Sequence, residues 1–245
     1  SNDRRAVERD LLQHVVARGV DGLFLIPARE SYVDEVGLRE DVRRVPCPVT
    51  LIDRLVSAQW CDGAGFDNVL GGALAARRLL EAGHTRIGCI SGDGREGSAN
   101  RRRRGFADVL EQAGVPLESM LDVAGDYRFD GGYAATAAMV DNGATAVFCC
   151  NDLMAMGLLR GLRERGLSVP ADMSVIGYDN IMERFGMQIE VTTVEQDVAQ
   201  LARAAWELLS ARIGAPGEGH PWLAEPRTRV LAPCLVDKGS VRDLR

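Results

Sequence analysis

The chain has 245 residues, enough for one large domain or two small ones, and 46% of them are hydrophobic, ample for a core. Its formal net charge of −6 and pI near 5.2 argue against a general nucleic-acid or acidic-membrane surface, since the summed field repels phosphate. No stretch approaches a membrane span, and Ser1–Arg9 is polar and charged where a secretory leader would be apolar. In chain order, Asn2-Asp3 is a candidate cap for a first helix with Val7, Leu11, Leu12, Val15 and Val16 on one face, ending at Gly19. Asp21–Pro27 reads as a buried strand, Tyr32–Arg44 as a polar helix, and Pro48–Asp53 as a strand ending on a carboxylate. Asp62–Asp67 is a short extended segment leading into a helix with Val69, Ala73, Ala76 and Leu80 on one face, closed by Gly83.

The alternation then repeats: strand Arg86–Ser91, helix Arg103–Ala113, strand Leu121–Gly125, helix Gly131–Val140. Ala146–Asn180 is the best-defined unit. Ala146–Cys150 and Ser174–Tyr178 are short apolar runs, and the helix Leu153–Arg165 between them places Met156, Leu159 and Leu162 at helical spacing before Gly166. Such a βαβ crossover needs a parallel sheet around it. Both strands end on polar residues, Asn151-Asp152 and Asp179-Asn180, where an open parallel sheet has its ligand crevice. Asn180–Glu190 is irregular, Val191–Val194 is β-rich, Gln200–Ile213 is a helix with Leu201, Ala204, Ala205, Leu208 and Leu209 inward, and Thr228–Val236 is a final strand after the Gly- and Pro-rich 214–226. Strict alternation with short loops predicts a doubly wound α/β fold. The six cysteines have no CxxC spacing, and Cys89, Cys149 and Cys150 lie in apolar strand runs. They read as reduced core residues of a cytoplasmic protein, with disulfides or metal ligation as the alternatives.

The motifs VDGLFLIP, PVTLIDR, the DN..GG..AARRLLEAGH.RIG.I.G run from Asp67, RRRRGF, GDYRFDGGYAA, NDLMAMG…VPADMSVIGYDN, VTTVEQD and RVLAPCLVDKGS occur in that order. Together they resemble the effector-binding core of the LacI/GalR transcriptional regulators. The resemblance implies two doubly wound parallel-sheet lobes of the periplasmic-binding-protein-like type, with an effector between them. Three segments would cross between the lobes, near Phe66, Thr192–Val194 and Pro221–Pro226. Residues 1–66 with 194–224 would form the N-terminal lobe, and 67–193 with 225–240 the C-terminal lobe. Regulators of this kind begin with a helix-turn-helix head, a hinge helix and a first strand-helix-strand that this sequence does not display, so the first lobe is expected to be incomplete and Asp21–Pro27 to be an unpaired apolar edge. The basic run Arg101–Arg104 reads as a solvated face, with DNA contact as the alternative.

A sugar hydroxyl donates and accepts, so its site needs carboxylates, amides, a guanidinium and an aromatic face. Asp179, Asp53 and Asn151 stand at strand ends. Arg102 matches the arginine of the family's RxxGF pattern, and Tyr127 the position of its stacking aromatic; Ser98 and Gln196 are weaker candidates. The alternatives are local: Asn151 capping the next helix, Asp53 pairing with Arg54 or capping a turn, Tyr127 packing only. His14, His84 and His220 have no metal spacing, and no GxSxG or P-loop occurs, so neither an enzyme nor a bound cofactor or metal is expected. The expected protein is the effector-sensing and dimerisation domain of a cytoplasmic bacterial regulator. It would bind a small carbohydrate, form a homodimer, have no membrane partner, and reach operator DNA only through a helix-turn-helix head. A periplasmic-type sugar-binding protein of a transport system is the alternative; a signal peptide upstream would favour it.

Overall fold

A computed structural model describes residues 3–56, 60–92, 97–184, 190–213 and 225–245. The chain divides into two units, Ser1–Phe66 with Asp197–Leu231, and Asp67–Gln196 with Ala232–Arg245. The first unit contains α1 (Arg5–Val16), β1 (Leu23–Leu25), α2 (Arg29–Val33), α3 (Glu35–Arg43), β2 (Val49–Ile52) and β3 (Asp62–Phe66). The second contributes α4 (Asn68–Glu81), β4 (Ile87–Ser91), α5 (Gly97–Gln112), β5 (Asp122–Ala124), α6 (Phe129–Asp141), β6 (Ala146–Cys149), α7 (Asp152–Glu164), β7 (Ser174–Tyr178), α8 (Ile181–Arg184) and β8 (Thr192–Glu195). The chain then adds α9 (Val198–Ile213) and β9 (Thr228–Leu231) to the first unit and β10 (Cys234–Val236) to the second.

The sheet of the first unit runs β1-β2-β3-β9, all parallel, with β1 at one edge. The segment read as a plain extended connection, Asp62–Asp67, is an inner strand here, buried along its length. Its sequence, DGAGF, carries little apolar signal: Gly63 and Gly65 pack under Leu55, and the Asp62 carboxylate accepts from Arg212 at 2.8 and 2.9 Å and from Arg227 at 2.9 Å. The single helix expected over Tyr32–Arg44 is two. Asp34 breaks it and caps the second, accepting from the Gly37 amide at 3.0 Å. Asp3 does not cap α1, which starts from Arg4 without a side-chain cap; its carboxylate takes the Arg29 amide and the Arg54 guanidinium instead, and Asn2 lies outside the described residues.

In the second unit the order is β10-β8-β7-β6-β4-β5, parallel except for β10 against β8. The predicted strand Thr228–Val236 is two strands in two sheets, parted at Ala232-Pro233, since proline has no N–H for a ladder. The last passage between units therefore falls between Leu231 and Ala232, later than the expected Pro221–Pro226, of which 221–224 lie outside the described residues. The passage expected at Thr192–Val194 falls between Gln196 and Asp197. Residues 180–190 are not wholly irregular, as α8 forms within them.

Gly72 and Gly105 let α4 and α5 touch backbone to backbone: a Cβ at Gly72 would run into the Arg102 carbonyl, and one at Gly105 into that of Val69. Helix α5 begins at Gly97, earlier than the expected Arg103, so Ser98 and Arg102 sit one turn apart on one face. Helix α7 buries Met154, Ala155, Leu158 and Leu162; Met156 and Leu159, expected inside with Leu162, are only partly buried and line a surface groove with Phe129 and Val169.

Candidate functional site

The C-terminal ends of β4, β6 and β7 in the second unit carry the convergence that matters. Arg102, on α5, is 6% exposed although a guanidinium has five donors to satisfy. Its Nη1 donates to the Cys150 carbonyl at 2.7 Å and to Asp179 Oδ1 at 3.3 Å, and its Nε donates to Asn68 Oδ1 at 2.8 Å. Its Cζ lies 3.7 Å from the centroid of the Tyr178 ring, a cation-π stack. Beneath Tyr178, an aromatic column continues through Phe148 and Phe106, with centroid spacings of 6.4 and 4.8 Å. Arg102 is thus held from several directions and faces Asp179, whose side chain is 28% exposed.

Asn151 is the N-cap of α7. Its Oδ1 accepts from the Met154 amide at 2.9 Å, and its Nδ2 donates to the Tyr127 carbonyl at 2.9 Å. The capping alternative is thus what the structure shows for Asn151, and the same side chain clamps the loop after β5 to the end of β6. Tyr127 packs so closely on Gly92 that a Cβ there would overlap its ring. Ser98 lies on the first turn of α5, half-buried, and Gln196 follows β8 with 8% exposure.

Backbone geometry singles out three of the candidates, Asp53, Tyr127 and Asp179. Among the described residues, the non-glycine residues with positive φ are Asp3, Asp53 (67°), Tyr127 (63°), Asp179 (100°) and Asn180 (52°). Left-handed backbone is costly for residues with a Cβ, and such strain concentrates where a fold must aim a side chain. Asp179 is held there by its neighbours: its amide donates to the Val194 carbonyl at 2.8 Å, and the Asn180 amide donates to Thr193 Oγ1 at 3.4 Å.

The family model for the periplasmic binding protein-like domain matches residues 76–241. The HTH-type transcriptional repressor PurR of Yersinia pestis is 34% identical over 246 residues, which is 96% of this chain and 67% of that relative. A LacI family transcriptional regulator from Enterococcus faecium, solved with bound ribose, superposes with a TM-score of 0.82 at 30% identity, over 96% of this chain and 84% of that one. The chain belongs to the LacI family of transcriptional regulators. The transcriptional regulator CelR in complex with cellobiose is also similar, with a TM-score of 0.81 and 28% identity over 97% of this chain and 71% of that one. Such relatives are regulators and not enzymes, and no helix among the described residues is long and apolar enough to cross a membrane.

For this LacI-family chain, six of the seven sequence candidates lie in the second unit: Ser98, Arg102, Tyr127, Asn151, Asp179 and Gln196. Asp53 belongs to the first, at the end of β2, where its amide donates to the Ala64 carbonyl at 2.8 Å. Arg54 turns its guanidinium to Asp3 and the Pro27 carbonyl, at 2.6 and 2.7 Å. Sequence reasoning missed Asn68, Tyr178, Asp152 and Lys238. Asp152 is 1% exposed and accepts from the Ile181 amide and from Thr193 Oγ1, both at 2.9 Å, which fixes the turn carrying Asp179. Burial raises its carboxyl pKa, although those hydrogen bonds pull it down. Lys238 donates to Asn180 Oδ1 at 2.7 Å from the C-terminal tail. Asp152 stood beside Asn151 at a strand end, and Asn68, Tyr178 and Lys238 stood inside the DN..GG, VIGYDN and RVLAPCLVDKGS motifs, where nothing marked them individually. All six cysteines are thiols, five of them buried; Cys234 is exposed. No cluster of three or more His, Cys, Asp or Glu able to hold a metal occurs among the described residues.

Proposed function

We propose that this chain senses a small carbohydrate for a bacterial transcriptional regulator, with the second unit's strand ends supplying the recognition groups. The observation that carries the reading is the Arg102–Asp179 pair, with positive-φ backbone at Asp179 and with Arg102 also donating to the carbonyl of Cys150, the residue before Asn151. The pair offers donors and acceptors with its charges already balanced against each other, which suits hydroxyls. The ribose and cellobiose bound by two related regulators support the sugar class. Asp53, Ser98 and Gln196 belong to the proposed recognition set on the resemblance.

In this reading the effector acts by population shift. It controls the regulator only insofar as it binds one arrangement of the protein better than another, because equal affinity shifts nothing. Operator DNA would be reached through a helix-turn-helix head, with the regulator working as a cytoplasmic homodimer. Calorimetry of the 245-residue chain against a panel that includes D-ribose, cellobiose, nucleobases and amino acids tests the assignment. Saturable binding of a sugar is expected; binding confined to nucleobases or amino acids overturns it. Sedimentation equilibrium is expected to give a dimer, and a gel shift with these 245 residues no specific operator complex.

A further inference from the structure

The amide of Asn68 has no place in the usual logic of a helix start. It is the first residue of α4 and only 2% exposed. The cap is already made by its neighbour: Asp67 Oδ1 accepts from the Leu70 amide at 2.9 Å. Asn68 instead accepts from Arg102 Nε at 2.8 Å, thirty-four residues away. Position matters as well, since Asn68 is the second residue after the chain passes from the first unit into the second, between Phe66 and Asp67.

The surroundings make this contact rigid. A Cβ on Gly71 would collide with the Tyr178 ring, the ring on which the Arg102 guanidinium stacks. The Gly72 contact with the Arg102 carbonyl presses the same turn of α4 onto the Arg102 backbone. The first turn of α4 therefore meets Arg102 through side chain, ring and main chain. With Nε held by Asn68 and Nη1 by the Cys150 carbonyl, the guanidinium plane has one setting, and that setting directs Nη1 to Asp179.

We propose that Asn68 is a positioning residue for effector recognition: it orients the Arg102 guanidinium toward Asp179 and so ties the recognition pair to the start of α4. The inference rests on the functional reading above for its ligand but not for its geometry. Two measurements keep the failures apart. The first uses no ligand. The Arg102 Nε–H NMR resonance, assigned by its loss in Arg102→Lys, is expected to exchange slowly in the wild-type chain. It should shift and exchange fast in Asn68→Ala, yet persist in Asn68→Asp, which is isosteric and keeps an acceptor. The second is titration with the tightest-binding sugar of D-ribose, cellobiose, D-glucose and D-galactose. Asn68→Ala should lose about 10- to 100-fold in affinity, the scale of one charge-assisted hydrogen bond, and Asn68→Asp should recover most of it. A wild-type chain that binds none of these sugars would count against the carbohydrate reading, while the Nε–H exchange still decides the role of Asn68. An Arg102 resonance unchanged in Asn68→Ala overturns the proposal, as does a lower melting temperature with unaltered sugar affinity. If Asn68→Ala does not fold, Asn68→Ser and Asn68→Asp supply the same contrast.

Discussion

At the scale of single residues, burial decides which charges matter. Asp179 sits 28% exposed opposite a guanidinium that is nearly enclosed, and its carboxylate is the more accessible half of the pair. On the proposed recognition role, Asp179→Ala is expected to weaken sugar binding by about 2–5 kcal/mol, because a hydroxyl bound there would lose its acceptor while Arg102 loses its counter-charge; calorimetry reads the loss. Asp62 is the structural counterpart in the first unit. Burial pushes its pKa up, but hydrogen bonds from Arg212 and Arg227 outweigh that and hold it below 3.8. A carboxylate depressed in the folded state contributes stability that is fully present above the unfolded value and lost as pH falls through the folded one. Asp62→Asn should therefore cost the first unit about 3 kcal/mol at pH 7, at the lower end for a broken buried pair because the Arg227 side chain is 42% exposed. Acid titration of unfolding should show a shallower stability loss below pH 4 in the variant than in the parent.

At the scale of elements, the contact between α4 and α5 sets the position of Arg102. Adding a methyl group at Gly105 drives it into the Val69 carbonyl, which is backbone and has nowhere to move. Gly105→Ala is expected to destabilise the second unit by about 1–3 kcal/mol, the usual scale of overpacking, and to reduce sugar affinity in the same variant, since Arg102 lies one turn away. Arg104→Ala, on the exposed side of that helix with a side chain 75% exposed, should change stability by less than about 0.5 kcal/mol. Thermal melts of both variants make the comparison. Helix periodicity located these elements but not always their inner faces. For α1 it predicted a packed stripe, yet Leu12 is buried while Val7 and Leu11 are 40% and 50% exposed.

At the scale of the whole molecule, the two units differ in how their cores are built. The second has one continuous buried cluster running from Ala75 to Val241, whereas the first divides into a cluster around Leu38 and Leu51 and another around Phe66 and Leu208. The first unit also ends its sheet on the three-residue β1, where Phe24 is 39% exposed and the adjacent Ile26 56%. Short edge strands with exposed apolar groups open readily and invite pairing with other chains. Hydrogen exchange on the 245-residue chain is expected to protect residues 67–92 and 97–179 well beyond β1 and α1, with species larger than the dimer rising with concentration; equal protection in both units of the dimer would refute this.

Much of the fold and several candidate residues were legible in the sequence because they depend on local patterns. Apolar runs ending in Asn151 and Asp179 mark parallel strands with polar C-terminal ends, and the ordered motifs from VDGLFLIP to RVLAPCLVDKGS carry the family. What local pattern does not encode is which distant groups meet. The split of Thr228–Val236 between two sheets depends on partners more than 160 residues earlier for β9 and about 40 residues earlier for β10. The burial of Asp62 depends on two arginines from the far end of the chain. Asn68 and Tyr178 stand inside the DN..GG and VIGYDN motifs, but nothing in the sequence singles them out for the site, since an asparagine at a helix start and a tyrosine at a strand end each have ordinary local explanations. Only the packing of α4 on α5, with the Tyr178 ring of β7 against both Gly71 and Arg102, brings them together, because a buried guanidinium needs its acceptors from whichever elements surround it.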